Sequence, residues 1–386
     1  MNTIFFERAS PTTRLRQVFS GFDTQLLVVT CLLAAIGLVA MYSAGFDHGT
    51  RFQTHGRNML IALALMFVVA QMPPQKLQSV AVPLYVLGIA LLLATEFFGI
   101  TRKGATRWLA LGPLVIQPSE ILKIAMPLML AWWFQRREGA ARWLDFVVAT
   151  IFLLVPAALV IQQPDLGTAL LILASGLYVM FFAGLSWKLV GPVVLLAAIG
   201  ILGLVLTADA VCQPGVNWPL LRQYQQTRIC TLLDPTQDPL GKGFHIIQGM
   251  IAIGSGGLAG KGFMQGTQTH LEFIPERTTD FIFAAFSEEF GLAGVVVLLI
   301  GFTFLIFRGL VIAALAPTVF SRLLAAAVTM NFFSYAFVNM GMVSGMLPVV
   351  GVPLPFISYG GTAMVSLGLG LGILMSVARS RRLMQS

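Results

Sequence analysis

The sequence predicts an all-α polytopic membrane protein of about ten transmembrane helices, with one large loop between the seventh and eighth. Three observations carry that prediction. Apolar residues make up 57% of the 386-residue chain and charged residues only 10%, against about 25% charge in ordinary globular proteins. A soluble fold of this size could not cover its surface with so few charges, so much of the surrounding solvent must be lipid. The mean hydropathy of +0.85 agrees, and the apolar residues gather in runs near the length that crosses a bilayer as a helix. Disorder, a small secreted disulfide scaffold and a soluble nucleotide-binding enzyme are excluded on these grounds.

The runs follow in order. The first, 24–43, comes after a polar, basic segment of residues 1–23 that carries Arg8, Arg14 and Arg16. That segment does not read as a cleavable signal peptide, whose apolar core starts sooner and ends at a small-residue cleavage site. The second run, 58–72, is short, and the third is 77–98. The fourth, 118–134, opens on Pro118, which suits a first helical turn. The fifth is 143–161. The sixth, 168–183, is short and follows Asp165, which reads as an N-cap. The seventh, 186–207, leads into a loop of about 70 residues, 208–280. The eighth is 281–307. The ninth, 322–346, carries polar Asn331, Ser334 and Asn339, and the tenth, 357–377, leaves a tail of 378–386. Residues 24–377 form a single transmembrane domain in this reading.

Orientation follows from Lys and Arg. With ten spans, the side bearing both termini holds thirteen of them and the short loops opposite hold five, Arg51, Arg57, Arg102, Lys103 and Arg107. The excess places both termini in the cytoplasm and the 208–280 loop outside. The same topology accounts for the net charge of +8, which therefore does not point to nucleic acid. No internal repeat mirrors the large loop, which counts against a transporter built from paired halves.

Four places put ionisable groups where lipid makes them costly, and such groups are functional candidates by default. In Gln117-Pro118-Ser119-Glu120-Ile121-Leu122-Lys123, Glu120 and Lys123 are three residues apart and share one helix face. They are either a structural ion pair or the charged wall of a cavity. In Gln163-Pro164-Asp165-Leu166-Gly167-Thr168, Asp165 caps the sixth span or joins a site. The outer loop carries Arg222, Arg228 and Asp234-Pro235, then the glycine-rich run 254–262. That run is not a nucleotide loop: Ser255 stands where the first glycine is required and Gly262 where Ser or Thr would bind magnesium. Its glycines are read as permitting a tight or re-entrant path. The fourth place is Pro275-Glu276-Arg277-Thr278-Thr279-Asp280, followed by Glu288 and Glu289. Asp280 stands at the start of the eighth span as a helix cap or as a base whose pKa the neighbouring charges set.

Other chemistry finds little support. None of the four His is in metal-pair spacing, and no Gly-x-Ser-x-Gly elbow occurs. Cys31 reads as a small apolar filler. Cys212 and Cys230 lie in the outer loop, where a disulfide between them is permitted but not required by the spacing.

The segment 262–283 closely resembles the SEDS family (shape, elongation, division, sporulation). The resemblance covers nearly the whole chain, through Arg107-Trp108, the run 117–123, Gln163-Pro164-Asp165-Leu166-Gly167-Thr168, Asp234-Pro235 and Phe356-Ile357-Ser358-Tyr359-Gly360-Gly361. Gly266-Thr267-Gln268 is similar to the elongation branch. That branch usually carries His before Thr-Asp, where this chain has Thr278, so no imidazole role is carried over.

The resemblance implies a ten-helix peptidoglycan glycosyltransferase of the bacterial cytoplasmic membrane that polymerises lipid II on the outer face. Asp280 matches the proposed catalytic aspartate, the general base for the acceptor hydroxyl. Arg107, Lys123 and Arg228 are candidate pyrophosphate contacts, Glu120 orients Lys123 or the acceptor sugar, and Asp165 and Glu276 complete the substrate-binding set. A divalent cation, magnesium or manganese, is an option beside the pyrophosphate, with no protein metal ligands assigned. The implied partners are lipid II and the growing lipid-linked glycan, a class B penicillin-binding protein as transpeptidase, the rod-shape elongation machinery and membrane lipid. A lipid II flippase is the competing class, and a scaffold with no activity the third.

Overall fold

The computed structural model describes residues 22–385, apart from 48, 103–104, 113, 138–141, 214–215, 217, 219–222, 238–240 and 275. The N-terminal segment with Arg8, Arg14 and Arg16, together with Lys103, Arg222 and Pro275, lies outside the described residues.

Ten long helices follow the ten apolar runs: α1 (Thr24–Ala44), α2 (Arg51–Ala70), α3 (Pro74–Phe98), α4 (Pro118–Gln135), α5 (Trp143–Gln162), α6 (Leu166–Phe182), α7 (Trp187–Leu206), α12 (Ile282–Ala314), α13 (Val319–Val343) and α14 (Gly361–Gln385). Between α7 and α12 the large loop folds into α8 (Ala208–Val211), α9 (Gln223–Leu233), a 3-10 turn (Pro235–Gln237), α10 (Lys242–Ser255) and α11 (Thr267–His270). The chain is a multi-pass membrane protein. Seven of its helices are individually long and apolar enough to cross a bilayer, namely α1, α3, α5, α7, α12, α13 and α14. The other three fall short for visible reasons: α2 begins with Arg51, His55 and Arg57, α4 carries Glu120 and Lys123, and α6 has 17 residues.

Several boundaries differ from the sequence reading. Helix α2 starts seven residues before 58, because its polar first turns are helical too. Helix α14 starts at Gly361 and continues through the predicted tail to Gln385, while Ile357 and Ser358 belong to the loop before it. The all-α prediction also missed a small antiparallel sheet between α3 and α4, ordered β1 (Ile100–Arg102), β2 (Ala105–Leu111) and β3 (Leu114–Ile116). Its segments are too short to stand out beside 20-residue apolar runs, yet β2 delivers Arg107.

Helices α4, α13 and α14 form the interior. Helix α14 packs along α2, α13 along α12 and α6, and α4 along α3 and α6. Phe281, Phe320, Phe332 and Phe356 are fully buried in the resulting core. Helix α7 is the exception: none of its residues is buried, and it stands at the edge of the bundle, meeting α6 where Trp187 packs against Phe181.

Helix α12 is broken at Gly291, where φ is 62° and ψ is −162°. A break exposes carbonyls and amides that cannot be left unpaired in a membrane. The glycine-rich run supplies their partners. The amides of Lys261 and Gly262 donate to the Glu288 and Glu289 carbonyls at 3.0 and 3.1 Å, and the amides of Leu292 and Ala293 donate to the Gly257 and Leu258 carbonyls at 2.9 and 3.0 Å. The two backbones touch so closely that a Cβ on Gly260 (φ +82°) would lie 2.1 Å from the Glu289 carbonyl oxygen, and one on Gly291 would lie 2.3 Å from the Gly260 amide nitrogen. Gly260→Ala is therefore expected to cost about 3 kcal/mol or more, from positive-φ strain and overpacking together. Thermal unfolding in detergent checks this against Gly200→Ala on α7, where nothing lies within 4 Å of the added carbon and no loss is expected.

Candidate active site

A cavity of about 660 Å³ opens among β2, α4, α6, α9, α10, the segment leading into α12, the 349–360 segment and the first turn of α14. Arg107, Glu120, Lys123, Asp165, Arg228, Glu276 and Asp280 all line it. The structure thus brings together every site residue named from the sequence, although they span more than 170 positions of the chain.

Each is delivered by a distinct local device. Pro118 begins α4 and places Glu120 in its first turn, where the helix dipole favours a carboxylate. One turn on, Lys123 Nζ meets Glu120 Oε1 at 2.6 Å, with only 6% of the lysine side chain and 11% of the glutamate exposed. Ser366 of α14 donates to the other carboxylate oxygen at 2.8 Å, and Lys123 Nζ sits 5.2 Å from the Tyr335 ring centroid. The pair is both a structural ion pair and a cavity wall, so the two readings of this motif were not exclusive.

Asp165 likewise does two things. Its Oδ1 accepts from the Thr168 amide at 3.2 Å, capping α6. Its Oδ2 accepts from Gln117 Nε2 at 3.1 Å and faces Arg107 Nη1 at 3.7 Å. Arg107 also donates from Nε to the Gln163 carbonyl at 3.1 Å and from Nη2 to the Pro164 carbonyl. Strand β2 is thereby tied to the turn between α5 and α6, and the guanidinium is held at the cavity edge, 28% exposed.

Asp280 is positioned through its backbone neighbours. Asn339 of α13 donates from Nδ2 to the Asp280 carbonyl at 3.0 Å and to the Val352 carbonyl at 2.8 Å. Ser358 donates to the Thr279 carbonyl at 2.7 Å, and the Tyr359 amide to the Thr278 carbonyl at 2.8 Å. Thr278 is buried, and its hydroxyl accepts from Arg51. Gly351 (φ +77°) brings its backbone beside the Asp280 carboxylate: a Cβ there would be 3.4 Å from Oδ2. Glu276, one turn earlier, accepts from Thr279 Oγ1 at 2.7 Å.

The charges grouped at this boundary in the sequence divide into two sets. Glu276 and Asp280 face the cavity. Arg277 turns away, donates to the Ala44 carbonyl at 3.0 Å and pairs with Asp47. Glu288 gathers the loop after Gly260, accepting from Lys261 Nζ at 2.7 Å, Thr267 Oγ1 at 3.1 Å and the amides of Gln268 and Thr269 at 2.9 and 3.2 Å. Glu289 accepts from Ser43. These carboxylates fasten the loop to α12 and do not line the cavity.

Sequence reasoning missed His245, Thr279 and Tyr359 as lining residues and Asn339 as a support. Tyr359 stood in a recognised motif and Asn339 was noted as polar within a span. His245 gave no signal, being a single imidazole on an apolar helix. Among the described residues no three His, Cys, Asp or Glu side chains gather as a metal site. Glu120 and Asp165 already have cationic and hydrogen-bonding partners, so the donor set does not suit a protein-held cation.

Asn339→Leu tests the support directly. It removes both carbonyl contacts and is expected to lower kcat about tenfold, the cost of one to two lost hydrogen bonds. On the roles expected from the sequence KM should hold, because Arg107, Lys123 and Arg228 lie on other elements. Steady-state kinetics separates the two constants.

The pattern that defines the FtsW/RodA/SpoVE family, described as a cell cycle protein, matches residues 23–383. The chain belongs to that family. Among FtsW/RodA/SpoVE relatives, the peptidoglycan glycosyltransferase MrdB of Escherichia coli (strain K12) is 47% identical over 361 residues, covering 94% of each chain. The peptidoglycan glycosyltransferase RodA of Treponema pallidum is 30% identical, covering 94% of this chain and 99% of its own. A chain from a structure of a peptidoglycan synthase complex, described as coordinating polymerization and crosslinking, superposes with a TM-score of 0.75 at 33% identity over 93% of this chain and 98% of its own. The rod shape determining protein RodA of Thermus thermophilus gives 0.67 at 27% identity, over 93% of this chain and 97% of its own. The likeness covers more than nine-tenths of the chain in each case.

Proposed function

We propose that this chain is a peptidoglycan glycosyltransferase of the elongation type, which polymerises lipid II into β-1,4-linked glycan at the outer face of the bacterial cytoplasmic membrane. One observation carries the reading: a carboxylate, Asp280, shares a single cavity between membrane helices and the large loop with three cations, Arg107, Lys123 and Arg228. Lipid II joins its sugar to undecaprenyl pyrophosphate, already a good leaving group. The reaction therefore needs a base and charge stabilisation, and not the second carboxyl group that protonates the departing sugar oxygen in glycosidases.

Asp280 takes the proton from the 4-hydroxyl of the acceptor GlcNAc. The oxygen attacks the anomeric carbon of the donor MurNAc from the face opposite pyrophosphate. As the new C–O bond forms, the bond to pyrophosphate breaks and its electron pair leaves with the phosphate oxygen, inverting the configuration. Arg107, held by two backbone carbonyls, and Arg228 face that developing charge. Lys123, held by Glu120, adds a third cation from the membrane side, while Asp165 and Glu276 flank the sugar-binding space. Both termini are cytoplasmic in this reading, from the Lys and Arg asymmetry. The partners are a class B penicillin-binding protein that cross-links the new strands and the other proteins of the elongation complex.

The test is polymerisation of purified lipid II by the detergent-solubilised protein, with and without the transpeptidase partner. Glycan chains are the expected product. No chains in either condition, together with lipid II movement across vesicle bilayers, would overturn the reading in favour of a flippase.

A further inference from the structure

Within the large loop a disulfide joins Cys212 to Cys230, whose Cα atoms are 5.5 Å apart. Its two ends belong to different environments. Cys212 directly follows α7 and α8. Cys230 lies on α9, two residues after Arg228, which lines the catalytic cavity.

Two residues on an α-helix are about 200° apart around the axis. Cys230 and Arg228 therefore leave α9 on nearly opposite sides, and the disulfide holds the helix from behind while Arg228 projects forward. Helix α9 has little else to fix it. Thr231 is its one fully buried residue among those described, and its main neighbours are the 3-10 turn and α10. Trp218 Nε1 donating to the Val211 carbonyl at 3.0 Å and Gln226 Nε2 donating to the Val216 carbonyl at 2.6 Å join the same segment to itself.

The anchor at the other end is the membrane. Helix α7 has 20 residues, a mean window hydropathy of 2.7 and no buried side chain. It spans about 30 Å, which matches the hydrocarbon thickness of a bilayer. Its described contact with the bundle is at its first residue, where Trp187 meets Phe181 of α6 edge to face, so along the rest of its length its depth follows hydrophobic matching. Cys212 follows six residues beyond its end, which puts it close to the outer membrane boundary in the proposed topology.

We infer that the Cys212–Cys230 disulfide is a positioning element that transmits the depth of α7 to α9 and so holds Arg228 at the level where a lipid-linked pyrophosphate lies. The inference rests on the proposed function for the identity of that ligand. Arg228 is the residue that meets the ligand, and the cysteines act through it.

The experiment combines Cys212→Ser with Arg228→Ala in the full-length protein, reconstituted in liposomes and assayed on lipid II. Cys212→Ser is expected to raise KM roughly 3- to 10-fold, the weakening and not the full loss of one charge-assisted contact, and to leave kcat within about twofold. In the Arg228→Ala background it should raise KM no further, because coupled residues are not additive. An unchanged KM, or the same fold-increase in both backgrounds, overturns the inference, and a fall in Tm alone does the same. Hydrogen exchange of the 223–233 amides, measured on wild-type protein before and after reduction, gives an activity-independent readout. Faster exchange in α9 on reduction is expected and unchanged exchange overturns the tether. Wild-type protein that binds but never polymerises lipid II would instead count against the glycosyltransferase reading and leave the exchange result to judge the tether.

Discussion

Asp280→Asn is expected to reduce lipid II polymerisation by a factor of about 10² to 10⁴, the usual contribution of a positioned general base. The substitution keeps the shape of the side chain and the backbone carbonyl that Asn339 holds, so protein yield, detergent behaviour and Tm should match wild type. KM for lipid II should move little, since the cations proposed to face pyrophosphate lie on β2, α4 and α9. Quantifying glycan chains from equal amounts of the two proteins decides the matter. Activity above about a tenth of wild type is incompatible with a base contributing even the lower end of that range.

The largest stability effect belongs to Glu120 and Lys123. With side chains 11% and 6% exposed and 2.6 Å between charges, removing one partner strands the other in a poorly solvated site, at a cost of about 3–5 kcal/mol. Lys123→Met should therefore lower Tm sharply, as should Glu120→Gln, although less so because the amide can still accept from Ser366. The combined variant Glu120→Gln with Lys123→Met should recover much of the loss, since replacing a whole buried pair with uncharged groups of similar volume is often neutral. Activity should not recover with stability if Lys123 faces the pyrophosphate. Thermal unfolding of the three variants beside their polymerisation rates separates the stabilising role from the chemical one.

How much of this was legible beforehand depends on the physical signal each feature leaves. Runs of about 20 apolar residues are unmistakable, and the helices α1, α3, α5, α7 and α12 through α14 follow them. Polar residues inside such runs are costly, which is why Glu120, Lys123 and Asp165 could be singled out before their contacts were known. Asp280, Arg228 and Glu276 stood out as ionisable groups in the same way, and the family resemblance then implied the base role for Asp280, where capping had stayed an open alternative. The three short strands left no trace, since three to seven residues of β-structure carry too little periodicity beside long apolar runs. The role of the glycine-rich run was likewise invisible: it depends on the break at Gly291, some 30 residues further along. Grouping Glu288 and Glu289 with the cavity charges failed because nearness in sequence at the start of a helix says nothing about which face each side chain takes.

The supports of the catalytic segment also carry a consequence for biogenesis. Thr278, Thr279 and Asp280 are held by Arg51 from α2, Asn339 from α13, and Ser358 and Tyr359 from the segment before α14. Synthesis proceeds from the N-terminus, so the carboxylate is threaded to its side of the membrane well before three of those four supports have been made. A nascent chain halted after α12 would contain Asp280 without the framework that aims it. On the proposed function, competence is therefore a late event in maturation, complete only once α13 and the segment before α14 are in place.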